Sequence, residues 1–101
     1  MKTYVLGEDG DPIREEDMGK WGLWFETADR QVANDHVGDA NISTIFLGMD
    51  HSWSATGPPV LWETIVFGGE HNDYQERCSG TAFNAINMHA KIVDMVRGNK
   101  I

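Results

Sequence analysis

Asn41-Ile42-Ser43-Thr44-Ile45-Phe46-Leu47-Gly48-Met49 and Val60-Leu61-Trp62-Glu63-Thr64-Ile65-Val66-Phe67 are two runs rich in β-branched and aromatic residues. Between them lie Ser52, Ser54, Gly57, Pro58 and Pro59, which favour turns over extended chain. The pair reads as a long hairpin. If it closes around residues 51–58, Thr44 faces Val66, Phe46 faces Thr64 and Gly48 faces Trp62, while Ile45 faces Ile65 and Leu47 faces Glu63; a bulge shifts this by one. Side chains alternate along a strand, so Ile45, Leu47, Met49, Leu61, Ile65 and Phe67 form one strongly apolar face. Glu63 lies in its middle.

Working outward from the hairpin, residues 30–37 read as a further strand ended by the turn Gly38-Asp39. Residues 3–6 form a short strand before the turn-rich Gly7 to Pro12. From Ile13 to about Asp29 the spacing of Met18, Trp21 and Phe25 suits a helix, with Glu15, Glu16 and Asp17 in its first turn and Leu23 and Trp24 widening the stripe. Gly19 and Gly22 each cost roughly 1 kcal/mol in a helix interior, and extended chain from Leu23 onward is the alternative. After Gly68-Gly69 a polar loop leads to a short edge strand around Tyr74 to Cys78. Thr81 is a good N-cap, and Ala82, Ala85, Ile86, Ile92, Val93 and Val96 share one face of a helix running to Arg97. The expected architecture is a single α+β domain over residues 1–101, an antiparallel sheet of about four strands with helices packed on one face, in the order β-α-β-β-β-α.

A carboxylate among Leu, Ile and Met must be paired, hydrogen-bonded or neutral, because an isolated buried charge costs several kcal/mol. His89 is similarly misplaced, between Ile86 and Val93 on the apolar side of the last helix. If that helix covers the face holding Glu63, the two form a structural polar pair, with Arg77 as the rival partner for the carboxylate. A catalytic acid–base role for the pair is the sharper alternative.

Other chemistry is thinly represented. No phosphate-cradling glycine loop opens a helix, and Cys78 beside Arg77 reads as a half-buried filler rather than a nucleophile. Asp50-His51 at the hairpin mouth is a weak candidate for holding a cation, against a turn-capping Asp followed by an exposed ring; otherwise no metal and no cofactor is expected. Trp53 and Trp62 cluster near Pro58 and Pro59 as anchors for a protein partner, or Trp62 covers Gly48 across the strands. Trp21 and Trp24 are expected to be buried by their helix.

The chain is acidic, with a net charge of −8. Residues 1–40 hold ten acids against four bases. Such a field repels phosphates and anionic lipid, so direct nucleic-acid or membrane binding is not expected. It attracts basic proteins, with Glu15, Glu16 and Asp17 as candidate contacts. Cys78 alone makes no internal disulfide, and no apolar run reaches the length of a membrane span or a signal-peptide core, which points to a cytoplasmic protein.

The stretch Ile42-Ser43-Thr44-Ile45-Phe46-Leu47-Gly48-Met49-Asp50-His51, followed by Gly57-Pro58-Pro59-Val60-Leu61-Trp62-Glu63-Thr64-Ile65-Val66-Phe67-Gly68-Gly69, resembles a family of small uncharacterised bacteriophage and prophage proteins. Members read in outline as STVFLGLDH, a short Gly/Pro loop, LFETMVFGG, an Arg-Tyr-containing turn and a helix carrying Ala-x-x-x-His. Upstream, Trp21-x-x-Trp24-Phe25-Glu26-Thr27-Ala28-Asp29-Arg30-x-Val32-Ala33 is also similar, so the likeness covers roughly residues 21–97. Glu63 and His89 fall on the family's Glu and His positions. The chain departs in carrying Cys78 where the family shows Tyr, and one extra residue around Gly80.

The resemblance implies a phage origin and no particular activity. The leading expectation is a non-enzymatic binder of a host protein in the bacterial cytoplasm, such as an anti-CRISPR or other anti-defence inhibitor that occupies a basic nucleic-acid-binding groove. The alternatives are a phage accessory or structural module that forms a homo-oligomer, and a small metal-dependent enzyme around Asp50, His51 and Glu63.

Overall fold

The computed structural model describes residues 1–54 and 56–98; the expected single domain extends to residues 55 and 99–101, which lie outside the described ones. The elements are β1 (Tyr4–Leu6), β2 (Pro12–Arg14), α1 (Met18–Thr27), β3 (Gln31–Val37), β4 (Ala40–Phe46), β5 (Val60–Phe67), β6 (Gln75–Ser79) and α2 (Ala82–Val96). Strands β3 to β6 form a four-stranded antiparallel sheet in chain order, and β1 and β2 make a separate two-stranded ribbon. The fold is α+β, as the pattern of elements implies.

The first departure from expectation lies at residues 13–17, which are not helical. Pro12 to Arg14 pair with Leu6 to Tyr4 instead, across a turn in which the Gly7 amide donates to Asp11 O and the Gly10 amide to Gly7 O. The ribbon is pinned at its open end, where the Thr3 hydroxyl donates to Glu15 O at 2.6 Å and the Glu15 amide to Thr3 O at 3.0 Å. Helix α1 starts only at Met18. Asp17, with extended backbone, accepts from the Lys20 amide at 3.0 Å, so it caps the helix rather than lying in its first turn.

Trp21 and Trp24 are half-buried rather than buried. The Trp21 indole donates to Tyr4 O and Gly48 O, both at 3.1 Å, tying α1 to the ribbon and to the end of the hairpin. Gly48 has φ +76°, and a Cβ there would meet the Phe25 ring at 3.1 Å. That residue must be glycine for the chain to leave β4 under α1.

The hairpin forms, but its register is two residues from the expected one. Thr44 faces Thr64, Phe46 faces Trp62 and Ile45 faces Glu63. The slip comes from the connection. β4 ends at Phe46, Met49 bridges to Thr3, and the Asp50 carboxylate holds the Val60 amide at 2.9 Å, so the loop runs longer than a closure at 51–58 requires. A two-residue slip preserves which face each side chain occupies.

Helix α2 lies across all four strands of the sheet, on the side opposite to the one expected. It covers Ala40, Ile42, Thr44 and Phe46 of β4 with Trp62, Thr64 and Val66 of β5, all buried. Its own buried residues are Ala85, Met88, His89, Ile92 and Val93, while Ile86 is exposed. Of the six residues expected to form the buried apolar face, Leu47 and Leu61 are buried, Ile45, Met49 and Ile65 are half-buried, and Phe67 is exposed. The covered face carries the largest rings, Trp62 and Phe46, with centroids 4.9 Å apart, and Trp24 meets Phe46 edge-on at 5.9 Å. Its two threonines make it look polar in sequence. Large apolar area, rather than the number of apolar residues, decides which face is buried.

Helix α2 is held at its start by two devices. Thr81 and Asn84 form a capping box, and the carboxylate of Asp11, from the ribbon turn, accepts from the Ala82 amide at 3.0 Å. An anion at that end also complements the helix dipole.

Candidate functional site

The covered face contains a chain of four polar side chains. His89, 5% exposed, reaches down from α2, and its Nδ1 lies 2.7 Å from Thr44 Oγ1. Thr44 Oγ1 lies 2.5 Å from Thr64 Oγ1 on the neighbouring strand. On the other side of the ring, His89 Nε2 lies 2.7 Å from Asp35 Oδ2, whose side chain is half exposed at the edge of β3. A carboxylate accepts, so Nε2 is the donor to Asp35; Nδ1 shares a hydrogen bond with the Thr44 hydroxyl, and Thr44 shares another with Thr64.

Hydroxyl, imidazole and carboxylate in this order have the connectivity of a catalytic triad. Access decides the matter. Thr44 and Thr64 are both 0% exposed beneath α2, so no substrate carbonyl can approach the hydroxyl. What the arrangement does is fasten β3, β4 and β5 to α2, with each of these four side chains hydrogen-bonded to another of them.

The expected Glu63–His89 pair does not exist, because the two side chains lie on opposite faces of the sheet. Glu63 is buried at 7% exposure and pairs with Arg77, whose Nε donates to Oε2 at 2.6 Å across the β5–β6 register. The rival partner is the true one. Cross-strand placement explains it, since Arg77 directly faces Glu63 on the side of the sheet away from α2.

Asp50 and His51, the weak cation candidates, are already engaged in the loop. Asp50 Oδ1 accepts from the Ser52 and Val60 amides at 2.8 and 2.9 Å, and His51 Nδ1 donates to Met49 O at 2.8 Å. Partial burial raises the Asp50 carboxyl, but those amides, the Ser52 hydroxyl and the charge of Lys2 together outweigh it and leave the group below its ordinary range. Among the described residues no three His, Cys, Asp or Glu side chains converge as metal ligands.

Trp62 is not available to a partner. It is 0% exposed, and its indole donates to Gly80 O at 2.8 Å. Trp53 is fully exposed. Of the three acids expected to meet a partner, Glu16 and Asp17 are exposed, and Glu15 is half-buried with its carboxylate accepting from the Asp17 amide. Cys78 is half-buried on the covered side; burial first, then the charge of Glu76, pushes its thiol up, so it is not activated as a nucleophile.

On β6, Glu76 accepts from Lys91 Nζ of α2 at 2.5 Å and from the Tyr74 hydroxyl at 2.8 Å. The Lys91 bond, against partial desolvation and with help from Tyr74, pulls the Glu76 carboxyl below its ordinary 4.5. A depressed carboxyl contributes stability that is present above its unfolded value and lost as pH falls through the folded one. Lys91, raised above its ordinary 10.5 chiefly by the same bond, contributes below that value and loses its share only as pH rises through the folded one. Thermal melts of the protein and of Glu76→Gln are therefore expected to differ by a constant margin between these limits, under about 1 kcal/mol for so exposed a pair. The curves should converge once the carboxyl is protonated in acid.

No protein-family model matches the chain, and no curated protein or solved structure matches it either. Asp35, Thr44, Thr64 and Asp11 escaped the reading of the sequence. Thr44 and Thr64 become visible only with the correct register. Asp35 carries no signal beyond its place on a strand beside an expected turn.

Proposed function

We propose that this chain is a non-enzymatic binder of a bacterial host protein, of phage origin, acting in the host cytoplasm as an inhibitor of a defence function. The observation that carries the reading is the state of its acids. Among the described residues, side-chain ion pairs engage Glu63, Glu76 and Asp35. Glu8, Asp9, Glu16, Asp17, Glu26, Asp29 and Asp39 are exposed and outside those pairs, so the negative field is left for something outside the fold. A basic nucleic-acid-binding groove is the natural complement. The phage-like motif and the burial of the triad-like chain support the same view.

Capture from bacterial lysate at about 0.1 M salt is expected to retain a nucleic-acid-binding protein that is released near 1 M, where screening shortens to about 3 Å. The combined Glu15→Gln, Glu16→Gln and Asp17→Asn variant keeps a capping side chain at residue 17 and should weaken that capture. Undiminished capture by the variant, or capture indifferent to salt, contradicts the reading. A second reading, a homo-oligomeric phage accessory module, is favoured by the fully exposed Trp53 and the seven-residue edge strand β3. Light scattering showing a stable dimer that shields Trp53 would select it.

A further inference from the structure

Helix α2 spends its core-facing side on the sheet, yet Phe83 and Ile86 on its outer side are 70% and 51% exposed. Three positions apart, they lie on one stripe that the exposed Ala90 continues. Neither is needed for the core, which Ala85, Met88, Ile92 and Val93 already supply.

Acid flanks the stripe on two sides. At its start, the bond from the Ala82 amide to Asp11 sets the turn Gly7–Asp11 against the first turn of α2, and that turn carries the exposed Glu8 and Asp9. Along its length, Asp35 is held at the rim by His89 with half of its side chain open to water. The nearest cation on α2, Lys91, points the other way, to Glu76 on β6.

We infer that this apolar stripe of α2 and the carboxylates around it form the docking surface for a basic amphipathic helix of the partner protein. The inference rests on the proposed basic partner and places its contact. Apolar residues of the incoming helix cover Phe83 and Ile86, while its Lys and Arg side chains meet Glu8, Asp9 and Asp35. A second copy of this chain would bring acid onto acid at a net charge of −8 each, and an anionic membrane is repelled for the same reason.

The test uses a fluorescein-labelled Leu/Lys amphipathic peptide of roughly 18 residues, about five helical turns, with binding read by anisotropy and mapped by amide chemical shifts. Binding should fall about tenfold for Phe83→Ser combined with Ile86→Ser, as for a central apolar anchor. The salt dependence should flatten for Glu8→Gln combined with Asp9→Asn. Shift changes should centre on residues 83–90 and the ribbon turn, with Trp53→Ser without effect. Equal binding by the Phe83/Ile86 variant, no binding of the peptide, or wild-type dimerisation abolished by that variant each overturns the inference. Salt-sensitive capture from lysate that depends on Glu16 and Asp17 but not on Phe83 would leave the functional reading standing without this surface.

Discussion

Trp62→Ala is expected to remove about 3–5 kcal/mol of stability, a large part of the roughly 5–15 kcal/mol that holds a domain of this size together. Trp62 is fully buried, packs on Phe46 and donates to Gly80 O, so truncation opens a cavity in the centre of the covered face and removes that bond. At about 4–8 °C per kcal/mol, the melting temperature should fall by roughly 12 °C or more. A tryptophan serving only a partner would change stability by about 0.5 kcal/mol or less and abolish binding instead. Trp53→Ala supplies that contrast, being expected to leave the melt unchanged.

His89→Ala is expected to cost about 2–4 kcal/mol, and His89→Leu, which restores the volume, nearer 1–3 kcal/mol. The ring is the one group that reaches Asp35 on β3 and Thr44 on β4 from α2, through bonds of 2.7 Å on both sides. In the leucine variant Thr44 keeps only Thr64, and α2 loses its polar fastening to the edge strand. Urea unfolding of the two variants checks both the size and the order of the losses. Near-equal stability of the wild type and His89→Ala would mean that the seam contributes nothing.

Much of the architecture was legible because local signals and tertiary structure agree. Thr81, the 3.6-residue spacing beyond it and Gly98 bound α2 closely, and the β-branched runs place β4 and β5. Where reading failed, a contact distant in sequence had overridden a local pattern. Ile13 and Arg14 lie within the stretch expected to be helical but are claimed by pairing with β1. The hairpin register depended on Asp50 reaching Val60, which no strand propensity encodes.

The misplaced partnership has a separate cause, the choice of the buried face, since a two-residue slip moves no side chain to the other side. Tallying apolar residues favoured the face of Ile45 and Ile65, and covering it with α2 drew His89 to Glu63. The real core face holds two threonines whose polarity is cancelled by each other and by His89, so a polar-looking pattern concealed the larger buried rings. Glu63 and His89 both carry, in sequence, the signal of polar groups in need of partners. Only the partners differ, since facing is a property of the folded sheet.

The central claim is that the buried histidine belongs to the threonine–aspartate seam and has no energetic link to Glu63. Two double-mutant cycles by urea unfolding test it directly: Thr44→Val with His89→Gln, and Glu63→Gln with His89→Gln. The first pair is expected to couple by about 0.5–3 kcal/mol and the second to add within about 0.5 kcal/mol. Additive losses in the first cycle together with coupling in the second would contradict the account.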